Sequence, residues 1–254
     1  MLKYLLIALF FPLTALAAPC GGDIACALGE REYHAAPPPG WDGKSAVPVL
    51  LHFHGWGRRS GGVLKNQRVA RAAADAGALL IAPQGLGRSW SFWQAGSRDS
   101  DFALAVLDDA AKRWNIDRDR LYISGFSYGG AMAWRLACDK GAIGTFLPIA
   151  GTLRRDEDCR EPVRISHVHG LKDTVVDFPF GEDGAPEGAV SLWLAENQCR
   201  AEPDEQEAVG IFQCRRWTSC GGPPVELCTH EQGHMIPKNW LAYALASAIS
   251  PQSP

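Results

Sequence analysis

The chain has 254 residues and 46% hydrophobic content, enough for one or two domains and a fully buried core. Its formal charge is −3, and −4 once Lys3 leaves with a leader. That balance excludes the basic surplus expected of a nucleic-acid binder or a protein held on an anionic membrane surface.

The first residues read as an export signal. Lys3 gives a positive start, Leu5 to Leu16 form a short apolar run broken by Pro12, and Ala15-Leu16-Ala17 offers small residues for cleavage. The run is too short to span a bilayer, so no membrane insertion is expected. Residues 1–17 are read as a signal peptide and 18–254 as a single secreted domain, extracellular or periplasmic. All eight cysteines, Cys20, Cys26, Cys138, Cys159, Cys199, Cys214, Cys220 and Cys228, follow the leader. An even count behind an export signal fits a disulfide framework. Connectivity does not follow from sequence, but proximity favours Cys20–Cys26 and Cys138–Cys159. A hairpin turning at Gly221-Gly222-Pro223-Pro224 would join Cys214 to Cys228 and leave Cys199 with Cys220. No pair shows C-x-x-C spacing, so no zinc site is expected from them.

A loop-like stretch runs through Pro37-Pro38-Pro39-Gly40. Val47–Phe53 then reads as a buried strand ended by His54-Gly55. Residues 62–76 read as a helix with a small-residue face, and 78–83 as a second strand. Residues 99–114 have helical spacing in Phe102, Val106, Ala110 and Trp114. Residues 120–124 form a strand and 127–138 a helix. Strands follow at 146–150, 164–168, 211–217 and 225–229, and a helix at 238–249. The charged residues 202–207 read as a solvated loop. Strands alternate with helices, and several are short apolar runs. Both facts predict an α/β fold with a mainly parallel sheet, helices on both faces and no large lid domain.

Gly125-Phe126-Ser127-Tyr128-Gly129 fits G-x-S-x-G between a strand and a helix. That context makes Ser127 a nucleophile on a sharp turn, above the sheet and at a helix N-terminus. A serine needs a base, and in such folds the acid and then the histidine follow it. Asp173, after the strand at 164–168, is the acid candidate, with Asp177 its nearest rival. His234, in the loop after the last strand, is the base. Two backbone N–H groups must hold the oxyanion. Tyr128, after the nucleophile, and Trp56, between Gly55 and Gly57, are expected to supply them. His54 reads as a packer of that loop.

Together these residues resemble the esterase family of feruloyl and acetylxylan esterases and polyhydroxybutyrate depolymerases. The resemblance rests on His54-Gly55, Pro83-Gln84-Gly85, Trp90 to Trp93, and the stretch from Asp117 to Tyr122. Gly125 to Met132, His169-Gly170 with Asp173, and Gly233-His234 with Pro237 complete it. It implies an α/β-hydrolase fold, a Ser127–Asp173–His234 triad, and hydrolysis of a feruloyl, acetyl-sugar or hydroxyalkanoate ester, polymeric or small. No metal or organic cofactor is expected. Trp56 and Tyr128 stand where the family often has small residues. With Trp90, Trp93 and Phe92 they would line an aromatic substrate site.

Three other readings compete, one of them a peptidase on the same fold. His230-Glu231-Gln232-Gly233-His234 reads H-E-x-x-H, a zinc-protease signature that works only on a helix. Here it follows an apolar strand, and Gly233 and Pro237 oppose a helix. A non-catalytic binding protein could also keep the fold. Oligomeric state is not legible in the sequence.

Overall fold

The computed structural model describes residues 20–153, 158–159, 161–176 and 186–249. Residues 1–17, expected as a signal peptide, and Asp177 lie outside them. Apolar runs with alternating sides build one ten-stranded sheet. Its strands in chain order are β1 Cys26–Leu28, β2 Arg31–Ala36, β3 Val47–Phe53, β4 Leu79–Pro83 and β5 Ile116–Phe126. They continue with β6 Thr145–Ile149, β7 Arg164–Gly170, β8 Glu205–Val209, β9 Phe212–Trp217 and β10 Val225–His230. Across the sheet the order is β1-β2-β4-β3-β5-β6-β7-β10-β9-β8. β4, β3, β5, β6, β7 and β10 run parallel, while β1–β2 and β9–β8 are antiparallel edges.

The parallel strands bury both faces. On β3, Val49, Leu51 and Phe53 enter one apolar layer and Leu50 the other. The first layer receives α3 Arg98–Arg113, α4 Tyr128–Lys140 and α5 Gly188–Glu196. The second receives α1 Ser60–Lys65, α2 Gln67–Asp75 and α6 Trp240–Ile249. Every described α-helix packs into one of these layers, so none forms a separate lid. None is long and apolar enough to cross a membrane.

Four departures from the sequence expectation have physical reasons. The helix expected at 62–76 is two helices, because Asn66 leaves the helical region (φ −78°, ψ 105°) and caps α2 by accepting from Arg68 N–H. The region before Pro37 is not loop alone. Tyr33 and Ala35 alternate into the core, and Gly29 (φ 61°) turns β1 into β2. The charged residues 202–207 expected as a solvated loop run into edge strand β8, whose Glu205 and Glu207 pair with Arg216. Helix α5 had no expectation, because its sequence GAVSLWLAE is apolar all round and lacks an amphipathic period.

The disulfides are Cys20–Cys26, Cys138–Cys159, Cys199–Cys220 and Cys214–Cys228, with no free cysteine. These are the pairings favoured by proximity and by the hairpin. Cys138–Cys159 ties the last turns of α4 to the segment after β6 and so braces the helix that begins beside Ser127.

Candidate active site

Strand β5 delivers the chain into a turn in which Ser127 has φ 59° and ψ −121°. A non-glycine residue there costs about 1–3 kcal/mol. The surroundings enforce the turn. Ser127 N–H donates to Ile149 O at 3.0 Å, and Ser127 O accepts from Ala131 N–H at 2.9 Å. A methyl at Gly125 would lie 2.1 Å from Gly129 O, and one at Gly129 would lie 2.0 Å from Phe53 O. Only glycine lets β3, β5 and α4 meet this closely.

The acid candidate lies just past β7. Asp173 Oδ1 accepts from Val175 N–H at 2.8 Å and Val176 N–H at 2.9 Å, and Oδ2 accepts from His234 Nδ1–H at 2.7 Å. Burial alone would raise this carboxyl. The Val176 and Val175 amides and His234 together outweigh burial and hold it below the ordinary aspartate value. His169 backs the arrangement. Its Nε2–H donates to Val176 O at 2.6 Å and lies 3.3 Å from Asp173 Oδ2.

Asp173 and His234, 61 residues apart in sequence, are thus joined. The Phe126 ring, next to Ser127, lies 4.7 Å from the His234 ring. Ser127 Oγ itself makes no hydrogen bond among the described residues, so the contact from serine to histidine is open here. Catalytic hydrogen bonds often tighten only when substrate arrives.

His54 is a packer. Gly85 N–H donates to its Nε2 at 3.1 Å, which puts the proton on Nδ1, facing Gly55 O at 2.9 Å. Gln84 ties the same loop to α1 by accepting from Ser60 N–H at 2.9 Å. The Pro83-Gln84-Gly85 stretch does not reveal this role of Gln84 on its own. The loop presses Gly55 against Ser127, where an added methyl would lie 3.8 Å from Ser127 Cβ. Among the described residues neither Trp56 N–H nor Tyr128 N–H has a backbone acceptor. These are the two amides expected for an oxyanion.

Two hollows flank Ser127 and His234. One, of about 190 Å³, is walled by Phe92, Trp93, Tyr128, Ala131, Leu153 and Val176, with Ser127 at its edge. Its aromatic wall is tight, with Phe92–Trp93 centroids at 4.2 Å and Phe92–Tyr128 at 5.0 Å. Buried Arg135 on α4 fixes this wall by donating from Nε to Phe92 O at 3.0 Å. Of the aromatics expected at the substrate site, Phe92, Trp93 and Tyr128 line this hollow. Trp90 requires correction. It is 4% exposed, donates to His54 O at 2.7 Å and packs on Phe53, beneath the site. The Trp56 side chain is 68% exposed and lines neither hollow. Leu153 and Val176 carried no motif. Their position after parallel strands β6 and β7 was the available signal.

The H-E-x-x-H reading loses its required geometry. His230 ends β10, residues 231–234 are not helical, and His234 Nδ1 is engaged by Asp173. The cluster of Cys214, Glu226 and Cys228 offers no thiolate, because the two cysteines are bonded to each other.

No family model matches the chain. An acetyl xylan esterase from Aspergillus awamori has the same architecture, with a TM-score of 0.66 at 12% identity, over 85% of this chain and 94% of that one. The chain has an α/β-hydrolase fold. A Bacillus cereus carboxylesterase shares this fold at TM-score 0.57 and 16% identity, over 87% and 94%. By sequence, feruloyl esterase C of Emericella nidulans is 24% identical over 215 residues, covering 82% of this chain and 77% of its own. A bifunctional acetylxylan esterase/xylanase of Neocallimastix patriciarum is 31% identical over 134 residues, 52% of this chain. That match spans only 20% of the larger protein. These likenesses support carboxylic ester hydrolysis on this α/β-hydrolase fold.

Burial also predicts a pH response. It drives His52, His54, His167, His169 and His230 below the ordinary histidine value, His52 to about 3. Kept neutral in the fold, they take up protons first in the unfolded chain. Their contribution is fully present above the unfolded value of about 6.5 and is lost as pH falls below it. Each fully neutral histidine lowers stability by about 1.4 kcal/mol per pH unit there. The melting temperature should therefore fall steadily from pH 7 to pH 5, as read by calorimetry. A flat profile would contradict the assignment.

Proposed function

We propose that the chain is a secreted serine esterase that cleaves carboxylic esters through an acyl-enzyme. Ser127 Oγ attacks the ester carbonyl while His234 Nε2 takes its proton. Asp173 holds Nδ1–H and stabilises the imidazolium that forms. The Trp56 and Tyr128 amides hold the oxyanion. His234 then protonates the leaving alcohol, and water attacks the acyl-enzyme with His234 again acting as base. No cofactor enters these steps. The hollow walled by Phe92, Trp93 and Tyr128 suits the acyl group, since an apolar wall favours an aryl or short alkyl chain. A feruloyl, acetyl-sugar or hydroxyalkanoate ester fits this description.

One observation carries the reading. The strained Ser127 turn lies one residue from the ring that touches His234, whose other face is fixed by Asp173 at 2.7 Å. The test is covalent trapping. A fluorophosphonate should modify one peptide, the one containing Ser127, and stop hydrolysis of 4-nitrophenyl butyrate. A metal chelator should leave the rate unchanged. Labelling elsewhere with Ser127 unmodified, or inactivation by the chelator alone, would overturn the proposal.

A further inference from the structure

The second hollow is chemically unlike the first. It holds about 560 Å³ between β3, α1, α2 and the loop after β10, with Gly55, Phe126 and His234 on its rim. Its lining carries Arg58, Arg59 and Arg68 and no aspartate or glutamate, although the whole chain has a net charge of −3. Arg68 donates to Ile236 O. Arg58 and Arg59 have no ion pair or side-chain hydrogen bond among the described residues. Deeper in the wall His52 is 2% exposed, and its Nδ1 has no hydrogen-bond partner. A buried polar atom without a partner is costly unless something docks on it. Burial keeps His52 neutral, so it offers a hydrogen bond rather than a charge.

Chemistry says which part of an ester belongs there. The base that takes the serine proton must return it to the leaving oxygen, so the alcohol lies against His234. His234 lines this cleft and is absent from the apolar hollow, which holds Ser127 and Tyr128. The acyl group and the alcohol therefore go to opposite sides. We infer that this cleft is a leaving-group subsite for an alcohol bearing a carboxylate, as in an acidic sugar unit. Arg58 and Arg59 face the carboxylate, and neutral His52 lies deeper in the wall behind them. This inference rests on the esterase reading for its role in turnover, though not for binding.

The test uses two esters of one acid, 3-carboxyphenyl butyrate and 3-carbamoylphenyl butyrate, matched in size and differing in charge. The carboxylate ester should have the higher kcat/KM by about tenfold at low salt, chiefly through KM, since two or three exposed pairs add modest energies. The ratio should shrink towards one at about 0.5 M NaCl, where exposed charges are screened. Arg58→Gln with Arg59→Gln should also bring it towards one, while Arg58→Lys with Arg59→Lys keeps most of it. Calorimetry with the alcohols alone, 3-hydroxybenzoate against 3-hydroxybenzamide, needs no turnover and should show the same preference. If neither ester is cleaved but 3-hydroxybenzoate still binds more tightly, the esterase reading fails and the cleft stands. Equal kcat/KM for the two esters, or equal binding of the two alcohols, overturns the inference.

Discussion

Asp173→Asn should lower kcat on 4-nitrophenyl butyrate by on the order of 10⁴-fold while leaving the protein folded. The new amide oxygen can replace Oδ1 and accept from the Val175 and Val176 amides, which now donate at 2.8 and 2.9 Å. The amide nitrogen would then face His234 Nδ1, where Oδ2 now accepts at 2.7 Å. Two donors cannot share that contact, so the imidazole must move its proton to Nε2. That nitrogen can then no longer take a proton from Ser127. The carboxyl is held below its ordinary value against the opposing effect of burial, so the wild-type group is ionised at neutral pH. The variant should keep its melting temperature within a few degrees. A variant that retains more than about a tenth of wild-type kcat would remove Asp173 from the proposed role.

Gly129→Ala should have the largest effect on stability. Its added methyl would lie 2.0 Å from Phe53 O and 2.7 Å from His54 O. Both are backbone atoms of the strand and loop that carry the Trp56 amide, so no side-chain rotation relieves the clash. Overpacking of this kind costs about 3 kcal/mol or more. For a chain of this size that lowers the melting temperature by roughly 6–12 °C. Activity should fall further than stability explains, because the turn at Ser127 and the Trp56 and Tyr128 amides proposed for the oxyanion shift together. A melting temperature within about 2 °C of wild type would show that the turn tolerates a side chain.

The centre of the fold was legible because its physics is local. Val47–Phe53 must bury both faces, and an apolar run of that length between glycine-rich segments leaves few alternatives to a parallel strand. The serine turn was legible for a related reason, since Gly125 and Gly129 mark a close approach that only glycine permits. Much less could be read where a segment's partner lies far away in sequence. β1 and β2 take their order from β4, and the pairing of Tyr33 with Pro83 is not visible in either stretch alone. β8 is exposed except at Val209 and shows no apolar alternation, so its strand state comes from β9. Trp90 shows the same limit for function. A tryptophan beside Phe92 and Trp93 reads as part of one aromatic surface, yet its N–H bond to His54 O turns it beneath the site. The cleft opposite the apolar hollow was not legible at all, because His52, Arg58, Arg68 and His234 meet only in the folded chain.

The link between Ser127 and His234 is the step on which the mechanism turns, and a double-mutant cycle measures it directly. Ser127→Ala, His234→Ala and the double variant should each lose about the same activity on 4-nitrophenyl butyrate, on the order of 10⁴-fold or more, because two groups that act as one unit cannot be lost twice. Losses that multiply in the double variant, or a His234→Ala protein of near-normal rate, would mean that the two side chains do not work together.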